Sequence, residues 1–256
     1  MSKIQDTEVR WGILGVGNVC EVKSAPAMNL IPNSKIVAVM RRSEEKVRDY
    51  AERHGVAKWY TSALDLINDP EVNAIYIATP PNAHLNLAKL AAEAGKPVYV
   101  EKPMARTHAE CLEMIEVCSK ANIPLYVAYY RRELPHFLKI KELIEAGILG
   151  DIRTVHINLK QKLDASLITK VETNWRVNPE LAGGGYFFDL ASHQLDLLDF
   201  FFGKITQASG YASNQAKNYK AEDIVTGSFV FESGILGSGN WCFTTSENAE
   251  IDQTIN

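Results

Sequence analysis

Five short apolar segments, separated by stretches of helical pattern, organise the first half of the chain. They are residues 11–14, 36–40, 74–78, 98–100 and 125–128. Each is apolar at consecutive positions, which is typical of strands buried on both faces. Strands of this kind that alternate with helices form βαβ units. The pattern therefore predicts an α/β fold whose N-terminal part is a Rossmann domain, a doubly wound parallel sheet.

A glycine-rich turn follows the first segment directly. Gly15 and Gly17 occupy the first two positions of a GxGxxG fingerprint, and Cys20 stands where a third Gly or Ala is usual. The first glycine permits a tight turn, the second lets backbone approach a pyrophosphate, and the third position needs only a small side chain. A turn that uses its glycines for packing alone is the alternative. Its place in the first βα turn favours dinucleotide binding, with Asn18 and Val19 also in contact.

The residues after the second strand bear on which dinucleotide is bound. An NAD-specific fold usually has Asp or Glu there, whereas this chain has Arg41, Arg42 and Ser43. Two guanidinium groups and a hydroxyl suit the 2′-phosphate of NADP(H), because Arg binds phosphate through charge-assisted, bidentate hydrogen bonds. The alternative is that both arginines are solvated surface charges. We therefore expect NADP(H) as the preferred cofactor, with NAD(H) as the second choice.

Two further segments follow later strands, at the carboxyl edge where open α/β sheets bind ligands. They are residues 79–84 and 101–104, and their candidate cofactor-binding residues are Thr79, Pro80, Asn82, His84, Glu101 and Lys102. Lys102 has a chemical task beside a nicotinamide, since an amine can take or return the proton of a carbinol oxygen during hydride transfer. Taken alone, Lys102 is more simply explained as a solvated lysine at a strand end.

The pattern changes after residue 128. The sequence predicts a helix at 136–146, a strand at 152–159, a glycine-rich turn, a second helix, and Gly- and Ser-punctuated strands that end near 241–243. Longer strands joined by turns indicate a mixed, largely antiparallel open sheet. We expect a Rossmann dinucleotide-binding domain at 1–125 and an α/β substrate-binding and oligomerisation domain at 126–256, with the boundary between residues 122 and 130.

Three polar residues lie in an otherwise apolar segment behind Gly183, Gly184 and Gly185. Asp189, His193 and Asp196 fall at i, i+4 and i+7 and would share one face of a helix. Because this helix is apolar nearly all round, its polar stripe must face a cleft or an internal network. A hydrogen-bonded His–Asp pair in the core is one interpretation. A shared cation is another, but no further ligand cluster supports it, and we expect no metal.

Together these motifs resemble the glucose-fructose oxidoreductase/inositol dehydrogenase family, written Gfo/Idh/MocA, over nearly the whole chain. The resemblance implies that Lys102, Asp189 and His193 are catalytic and also contact the substrate. Lys102 and His193 would handle the proton, and which of them is the formal base stays open. Asp189 would orient the substrate or the imidazole.

The resemblance also implies a function. It points to an NAD(P)-dependent dehydrogenase or reductase that transfers a hydride between nicotinamide and a carbinol or carbonyl carbon of a sugar, polyol or related small hydroxylated substrate. A non-catalytic, NADP(H)-sensing regulatory protein of the same fold is the alternative, although a sensor would not need the proton-transfer set. Further candidates from the resemblance are Tyr130 and Arg131 at the substrate and Arg176 near the cofactor.

The resemblance bears on assembly and length as well. It implies a homodimer or a homotetramer. Family members are usually longer than this chain of 256 residues. We therefore expect the second domain to be C-terminally incomplete.

Composition excludes several other classes of function. The net charge is −4 and the Lys and Arg residues are scattered, so we expect no nucleic-acid partner. No apolar run approaches the roughly 20 residues that span a bilayer, and residues 1–10 are polar where a signal peptide is apolar. The chain is therefore expected to be cytoplasmic and without membrane contact. The four cysteines lack CxxC spacing, which argues against a zinc site or a redox dithiol.

Overall fold

The structure, a computed structural model, describes residues 8–163, 174–246 and 252–255. Most of the polar N-terminal segment considered above therefore lies outside the described residues. The chain divides into two compact units, Met1–Ala128 and Tyr129–Asn256, which we call unit 1 and unit 2. Across the described ranges, no helix is both long enough and apolar enough to cross a membrane.

Unit 1 is built on a six-stranded sheet. Its strands are β1 (Val9–Leu14), β2 (Ser34–Met40), β3 (Lys58–Tyr60), β4 (Ala74–Ile77), β5 (Val98–Val100) and β6 (Leu125–Val127). They lie in the order β3-β2-β1-β4-β5-β6, and every neighbouring pair is parallel. The helices are α1 (Asn18–Val22), α2 (Ser24–Leu30), α3 (Glu44–His54), α4 (Ala63–Ile67), α5 (His84–Glu93) and α6 (His108–Lys120). The predicted doubly wound parallel sheet is confirmed.

The strand sequences explain why both faces of this sheet are covered. In β4, Ile75 and Ile77 belong to one apolar core and Tyr76 to the other, and all three are fully buried. In β1 the same division separates Leu14 from Ile13. Because side chains alternate across a strand, a run of consecutive apolar residues supplies both cores. Parallel strands also end at one edge, so the loops after β1, β2, β4 and β5 lie along the same carboxyl edge.

The sequence pattern missed one strand of unit 1. β3 lies at the edge of the sheet and is three residues long. It contains Lys58 and a partly exposed Trp59. It therefore shows neither the length nor the apolar run that marks the other strands, whereas all five predicted segments do form strands.

Unit 2 is built on a five-stranded mixed sheet. Its strands are β7 (Thr154–Lys162), β8 (Ile205–Ser213), β9 (Ile224–Phe231), β10 (Leu236–Thr245) and β11 (Asp252–Ile255). They lie in the order β11-β7-β10-β9-β8, with β7 and β10 parallel and the other neighbours antiparallel. The helices among its described residues are α7 (Pro135–Glu145), α8 (Pro179–Ala182) and α9 (Ser192–Phe202). The mixed, largely antiparallel sheet agrees with the prediction.

The core of unit 2 forms where α9 and the turn before it cover the sheet. Leu197 and Leu198 of α9 are fully buried, and Trp241 and Phe243 of β10 are nearly so. Phe187 meets Trp241 edge to face, with ring centroids 5.0 Å apart. Of residues 187–202 only Asp199 is exposed, as the nearly all-apolar sequence predicted.

Candidate active site

The glycine turn of unit 1 needs glycine at its first position. Gly15 has φ +95°, and a Cβ there would lie 2.7 Å from Cγ2 of Thr79 and 3.0 Å from the Thr79 backbone nitrogen. The amides of Gly15 and Val16 both donate to the carbonyl of Met40, at 2.9 and 3.3 Å. The turn is therefore held against the ends of β2 and β4, at the carboxyl edge of the sheet.

Gly17 meets a different requirement. A Cβ at Gly17 would touch only the Gly15 carbonyl oxygen, at 3.9 Å, so no packing within the described residues demands a glycine here. Gly17 caps the N-terminus of α1, and Asn18 and Val19 supply the first helical amides, which have no acceptor inside a helix. An open backbone beside such amides suits a phosphate group.

Cys20 fills the third position of the fingerprint by packing. Its side chain is fully buried, and its Sγ lies 4.0 Å from the Gly15 carbonyl oxygen. Burial raises the pKa of the Cys20 thiol to about 12. The thiol therefore stays protonated, and Cys20 replaces the usual Gly or Ala as a small apolar residue.

The arginines after β2 differ in their surroundings. Arg41 is half-buried, and its Nη1 donates to the carbonyl oxygen of Val16 at 3.2 Å. Arg42 is exposed. Ser43 occupies the N-cap position of α3 without a side-chain capping bond. One guanidinium therefore lies against the glycine turn, and the other residue is exposed to solvent.

The loop after β4 is fixed by a buried histidine. Pro81–Ala83 forms a 3₁₀ turn in which Asn82 is exposed. Nε2 of His84 lies 2.7 Å from the Thr79 carbonyl oxygen, and Nδ1 lies 3.2 Å from that of Met104. Burial lowers the pKa of the His84 imidazole. Both ring nitrogens therefore face backbone oxygens of two different loops.

The Thr79 hydroxyl beside the glycine turn is a second feature that bears on a ligand. Thr79 Oγ1 is buried and has no hydrogen-bond partner among the described residues. Its neighbour Pro80 is half-buried. An orphaned hydroxyl next to Gly15 and an open backbone at Gly17 fit the predicted dinucleotide at this edge.

The segment after β5 carries the candidate proton carrier. Glu101 and Lys102 are half-buried, and the Lys102–Pro103 peptide bond is cis. Oε1 of Glu101 accepts a hydrogen bond of 2.5 Å from the Tyr76 hydroxyl, and Oε2 accepts one of 3.2 Å from the Lys102 amide. The Glu101 carboxylate is thus fixed against the sheet, directly before the lysine.

Unit 2 brings His193 and the tyrosines before α7 together. His193 is buried, and its ring meets Tyr130 nearly at right angles, with centroids 5.7 Å apart. The ring of Tyr129 approaches His193 in the same way, at 6.0 Å. Arg131 is half-buried. Two of the residues assigned to the substrate from the sequence, Tyr130 and His193, therefore adjoin.

Asp189 and Arg176 also come together in unit 2. Oδ2 of Asp189 lies 3.3 Å from Nε of Arg176, and the carboxylate is only 10% exposed. The Arg176 guanidinium in turn lies over the ring of Trp175, 4.5 Å from its centroid. This ion pair joins one residue predicted to be catalytic to one predicted to lie near the cofactor.

The predicted single helix over these residues needs a correction. Residues Phe187–Ala191 form a π turn, and α9 begins only at Ser192. A π turn contains one residue more than an α turn, so Asp189 does not continue the α-helical stripe of His193 and Asp196. Single π turns are frequent at functional sites.

Asp196 has a partner of its own. Arg132 binds its carboxylate through Nε at 2.9 Å and Nη2 at 2.7 Å, and Nη2 also reaches Asp199 at 3.1 Å. Burial raises the pKa of Asp196, and the hydrogen bonds from Arg132 oppose that change. This part of the polar stripe therefore belongs to an internal network rather than to a cleft. Among the described residues, no group of acidic, His and Cys side chains could hold a metal ion.

Three polar residues with distinct contacts were missed in the sequence. Tyr76 binds Glu101, as described above. Glu222 accepts a hydrogen bond of 2.8 Å from the Gly185 amide, which anchors the glycine turn before Asp189. Gln194 accepts one of 2.7 Å from Trp241 inside the unit 2 core. A glutamine in an apolar helix was a usable signal, whereas nothing local marked Tyr76 or Glu222.

Comparisons with family profiles match both units. The profile described as an oxidoreductase family with an NAD-binding Rossmann fold matches residues 9–129. The profile described as the GFO/IDH/MocA C-terminal domain matches residues 137–256. Together they cover nearly the whole chain.

Comparisons with individual proteins agree. Oxidoreductase P35 of Formosa agariphila is 44% identical over 96% of this chain and 76% of its own length. Myo-inositol 2-dehydrogenase of Thermotoga maritima is 30% identical over 90% of this chain and 67% of its own length. The structure of the WlbA dehydrogenase from Bordetella pertussis, in complex with NADH and UDP-GlcNAcA, has a TM-score of 0.88 and 26% identity, and covers 99% of this chain and 72% of its own.

Proposed function

The chain belongs to the GFO/IDH/MocA family of oxidoreductases, and on this premise we propose that it is an NAD(P)-dependent dehydrogenase or reductase of a sugar, polyol or related small hydroxylated molecule. When bound, the nicotinamide would accept the hydrogen of a carbinol C–H bond with both bonding electrons, as hydride, or return it in the reductive direction. The O–H proton would pass to Lys102 or His193 as the carbonyl forms. The observation that carries the proposal is the common carboxyl edge of unit 1, where the loops containing Gly15 and Lys102 both lie.

The residues of unit 1 would bind and orient the cofactor. The backbone amides at Gly17–Val19 adjoin the open space at Gly17, and this arrangement suits a pyrophosphate. Thr79 lies next to Gly15, and its buried hydroxyl, which has no hydrogen-bond partner among the described residues, could donate to the cofactor. His84 would act by holding the loop after β4, because its neutral imidazole can donate one hydrogen bond to a facing carbonyl oxygen, that of Thr79 or that of Met104.

The cofactor we propose is NADP(H) in preference to NAD(H). Arg41 lies against the glycine turn, and Arg42, the next residue, is exposed to solvent. Both guanidinium groups can approach a 2′-phosphate, and Ser43 adds a hydroxyl that no capping bond occupies. Relatives with NADH in their structures, such as the WlbA dehydrogenase, make NAD(H) the competing cofactor.

In unit 2, Tyr130 and His193 would contact the substrate and the Asp189 carboxylate would orient it. The edge-to-face contacts of His193 with Tyr129 and Tyr130 hold the imidazole in one orientation. A fixed imidazole can hydrogen-bond a reacting hydroxyl and carry its proton. Arg131 completes the proposed substrate contacts.

The decisive experiment pairs nucleotide titration with a screen of sugars, inositols and other polyols, followed by absorbance of the reduced nicotinamide. The Lys102→Ala variant should bind NADPH within about twofold of wild type and lose at least about a hundredfold in kcat. Lys89→Ala is the matched control, since Lys89 forms a surface ion pair with Glu113 in the same unit. Wild-type turnover by Lys102→Ala would refute the role of Lys102.

Wild-type protein that binds NADPH and oxidises or reduces no member of the panel would instead favour the sensing alternative.

We further propose that the protein is cytoplasmic and forms a homodimer or homotetramer. Light scattering during size-exclusion chromatography measures the mass of the assembly, and a monomer at micromolar concentration would contradict this part of the proposal.

A further inference from the structure

Tyr76 is a buried polar residue that the proposed chemistry does not use. It lies in the middle of β4 and is fully buried, within the apolar core that also contains Ile13 and Cys20. Its register partner on β5 is Tyr99, and the two rings stack with centroids 5.3 Å apart. The hydroxyl donates to Oε1 of Glu101 at 2.5 Å. A phenol in an apolar core is thus joined to a carboxylate at the edge of the sheet.

The register of the two strands explains this contact. Tyr76 is paired with Tyr99, and Glu101 stands two residues beyond Tyr99. Side chains two apart on an extended chain lie on one face, so Glu101 projects to the face occupied by Tyr76. The long side chain of Tyr76 places its hydroxyl near the carboxyl edge of the sheet, where it contacts the Glu101 carboxylate.

The phenol can serve only as a hydrogen-bond donor in this place. Burial, together with the nearby negative charge of Glu101, raises the pKa of Tyr76 far above its ordinary value. The hydroxyl therefore keeps its proton at any working pH, and Tyr76 takes no part in proton transfer. A protonated phenol beside a carboxylate is a permanent, charge-assisted donor.

The second oxygen of the Glu101 carboxylate binds the backbone of Lys102. Oε2 of Glu101 accepts a hydrogen bond from the Lys102 amide at 3.2 Å. The Tyr76 hydroxyl fixes Oε1, so rotation of the carboxylate away from Lys102 would break the charge-assisted bond. The backbone of Lys102 is held in turn, and the four-carbon side chain that bears the reacting amine begins from this fixed point.

We propose that Tyr76 is a positioning residue for Lys102, acting through the Glu101 carboxylate. The inference rests on the proposed function, in which the Lys102 amine handles the substrate proton. It assigns to the fold of unit 1 a device that sets the place of the Lys102 backbone, and so of the base of its side chain, before any ligand binds. It also gives Glu101 a role that is independent of contact with the cofactor.

The test compares Tyr76→Phe with Tyr99→Phe. The first change removes the hydroxyl that binds Glu101 and keeps the ring, whereas the second removes the hydroxyl of the stacked neighbour. We expect Tyr76→Phe to lower kcat by about tenfold, the effect of one lost charge-assisted hydrogen bond, with the Kd for NADPH and the substrate KM within about twofold. Tyr99→Phe should leave all three at wild-type values. Equal kcat in wild type and Tyr76→Phe would overturn the proposal.

A double-mutant cycle shows whether Tyr76 acts through Glu101. In a Glu101→Gln background, Tyr76→Phe should change kcat by less than about twofold, since the charged acceptor is already gone. Additive losses in the double variant would mean that Tyr76 acts by another route, and would overturn the proposal.

Amide hydrogen exchange, measured by NMR without any ligand, separates this inference from the proposed function. We expect the Lys102 amide to exchange at least about tenfold faster in both Tyr76→Phe and Glu101→Gln than in wild type or Tyr99→Phe. Unchanged exchange in Tyr76→Phe would overturn the positioning role even in an active enzyme. Faster exchange in a protein without turnover would support the positioning of Lys102 while the proposed function fails.

Discussion

The side chain of Arg41 donates a hydrogen bond from Nη1 to the backbone carbonyl of Val16, at 3.2 Å. The contact joins the end of β2 to the glycine turn after β1, because Val16 lies between the two glycines of that turn. Arg41, which the sequence predicts to be a phosphate ligand, therefore also stabilises the glycine turn. Arg42, its neighbour in sequence, is exposed. The two arginines should accordingly contribute to nucleotide binding in different ways.

Arg42→Ala should reduce affinity for NADPH selectively. Loss of one charge-assisted contact to the 2′-phosphate corresponds to about 1.5–3 kcal/mol, or roughly ten- to a hundredfold in Kd. The Kd for NADH should change by less than about twofold. Arg41→Ala should weaken the binding of both nucleotides, because the turn loses its bond at Val16.

Fluorescence titration measures the four Kd values, those of NADPH and NADH for each variant. Arg48→Ala, on the exposed side of α3, is the control. Equal losses for NADPH and NADH in an Arg41→Ala/Arg42→Ala variant would contradict the phosphate interpretation.

Gly15→Ala and Gly17→Ala should separate folding from binding. The first places a side chain at φ +95° against Thr79, and backbone strain of this kind costs about 1–3 kcal/mol. The second meets no close neighbour and should cost less than about 1 kcal/mol at an N-cap. Its Cβ would occupy the space through which a pyrophosphate approaches, so NADPH affinity should fall by at least roughly tenfold. Urea unfolding and NADPH titration of both variants test this pair. Unaltered affinity in a folded Gly17→Ala protein would argue against the predicted phosphate position.

His84 should make the stability of the protein depend on pH. Burial lowers the pKa of its imidazole relative to the unfolded chain, where it is about 6.5. The folded state therefore resists protonation, so this contribution to stability is complete above pH 6.5 and is lost as the pH falls through the lower folded pKa. His84→Gln can still donate toward the Thr79 carbonyl but cannot titrate, so the difference in the free energy of unfolding from wild type should shrink on acidification.

Urea unfolding between pH 8 and pH 5 measures that difference. At pH 8 the variant should be less stable by about 1–3 kcal/mol, the usual effect of a poorly satisfied buried carbonyl. His108→Gln is the control, because His108 is an exposed residue at the start of α6. A difference that stays constant over this range would show that His84 does not titrate in the way its burial requires.

The sequence predicts the strands of unit 1 well because a buried strand appears in it as a short run of apolar residues. Consecutive apolar residues in β4 and β5 supply two cores at once, and a parallel strand covered on both faces satisfies them. Gly15 can likewise be identified from the sequence, since its positive φ and the closeness of Thr79 make any side chain there costly. Buried strands and glycine turns depend on residues that are close together in the chain, so they can be predicted from a single sequence.

The contacts that complete the candidate site are not local, and this is why sequence reasoning missed them. Glu222 reaches Gly185 across 37 positions, and Arg132 reaches Asp196 across 64. The π turn at Phe187–Ala191 inserts one residue into a helical pattern, and an apolar run gives no sign of such an insertion. Charge and periodicity select the right residue types, but tertiary packing decides which pairs meet.

The last prediction concerns the ion pair of Arg176 and Asp189, whose carboxylate is only 10% exposed while the guanidinium is 42% exposed. If Arg176 serves chiefly to hold Asp189, Arg176→Ala should lower stability and kcat together and leave the Kd for NADPH within about twofold. In an Asp189→Asn background, Arg176→Ala should add little to either loss, because residues of one ion pair couple by roughly 0.5–3 kcal/mol. Arg176→Lys keeps the charge but cannot reproduce the planar group over Trp175, and should recover only part of the stability. Urea unfolding, steady-state kinetics and NADPH titration of the four members of the cycle provide the measurement. A rise of roughly tenfold or more in the Kd for NADPH, with additive effects on stability, would return Arg176 to the role that the family resemblance implied, a contact with the cofactor.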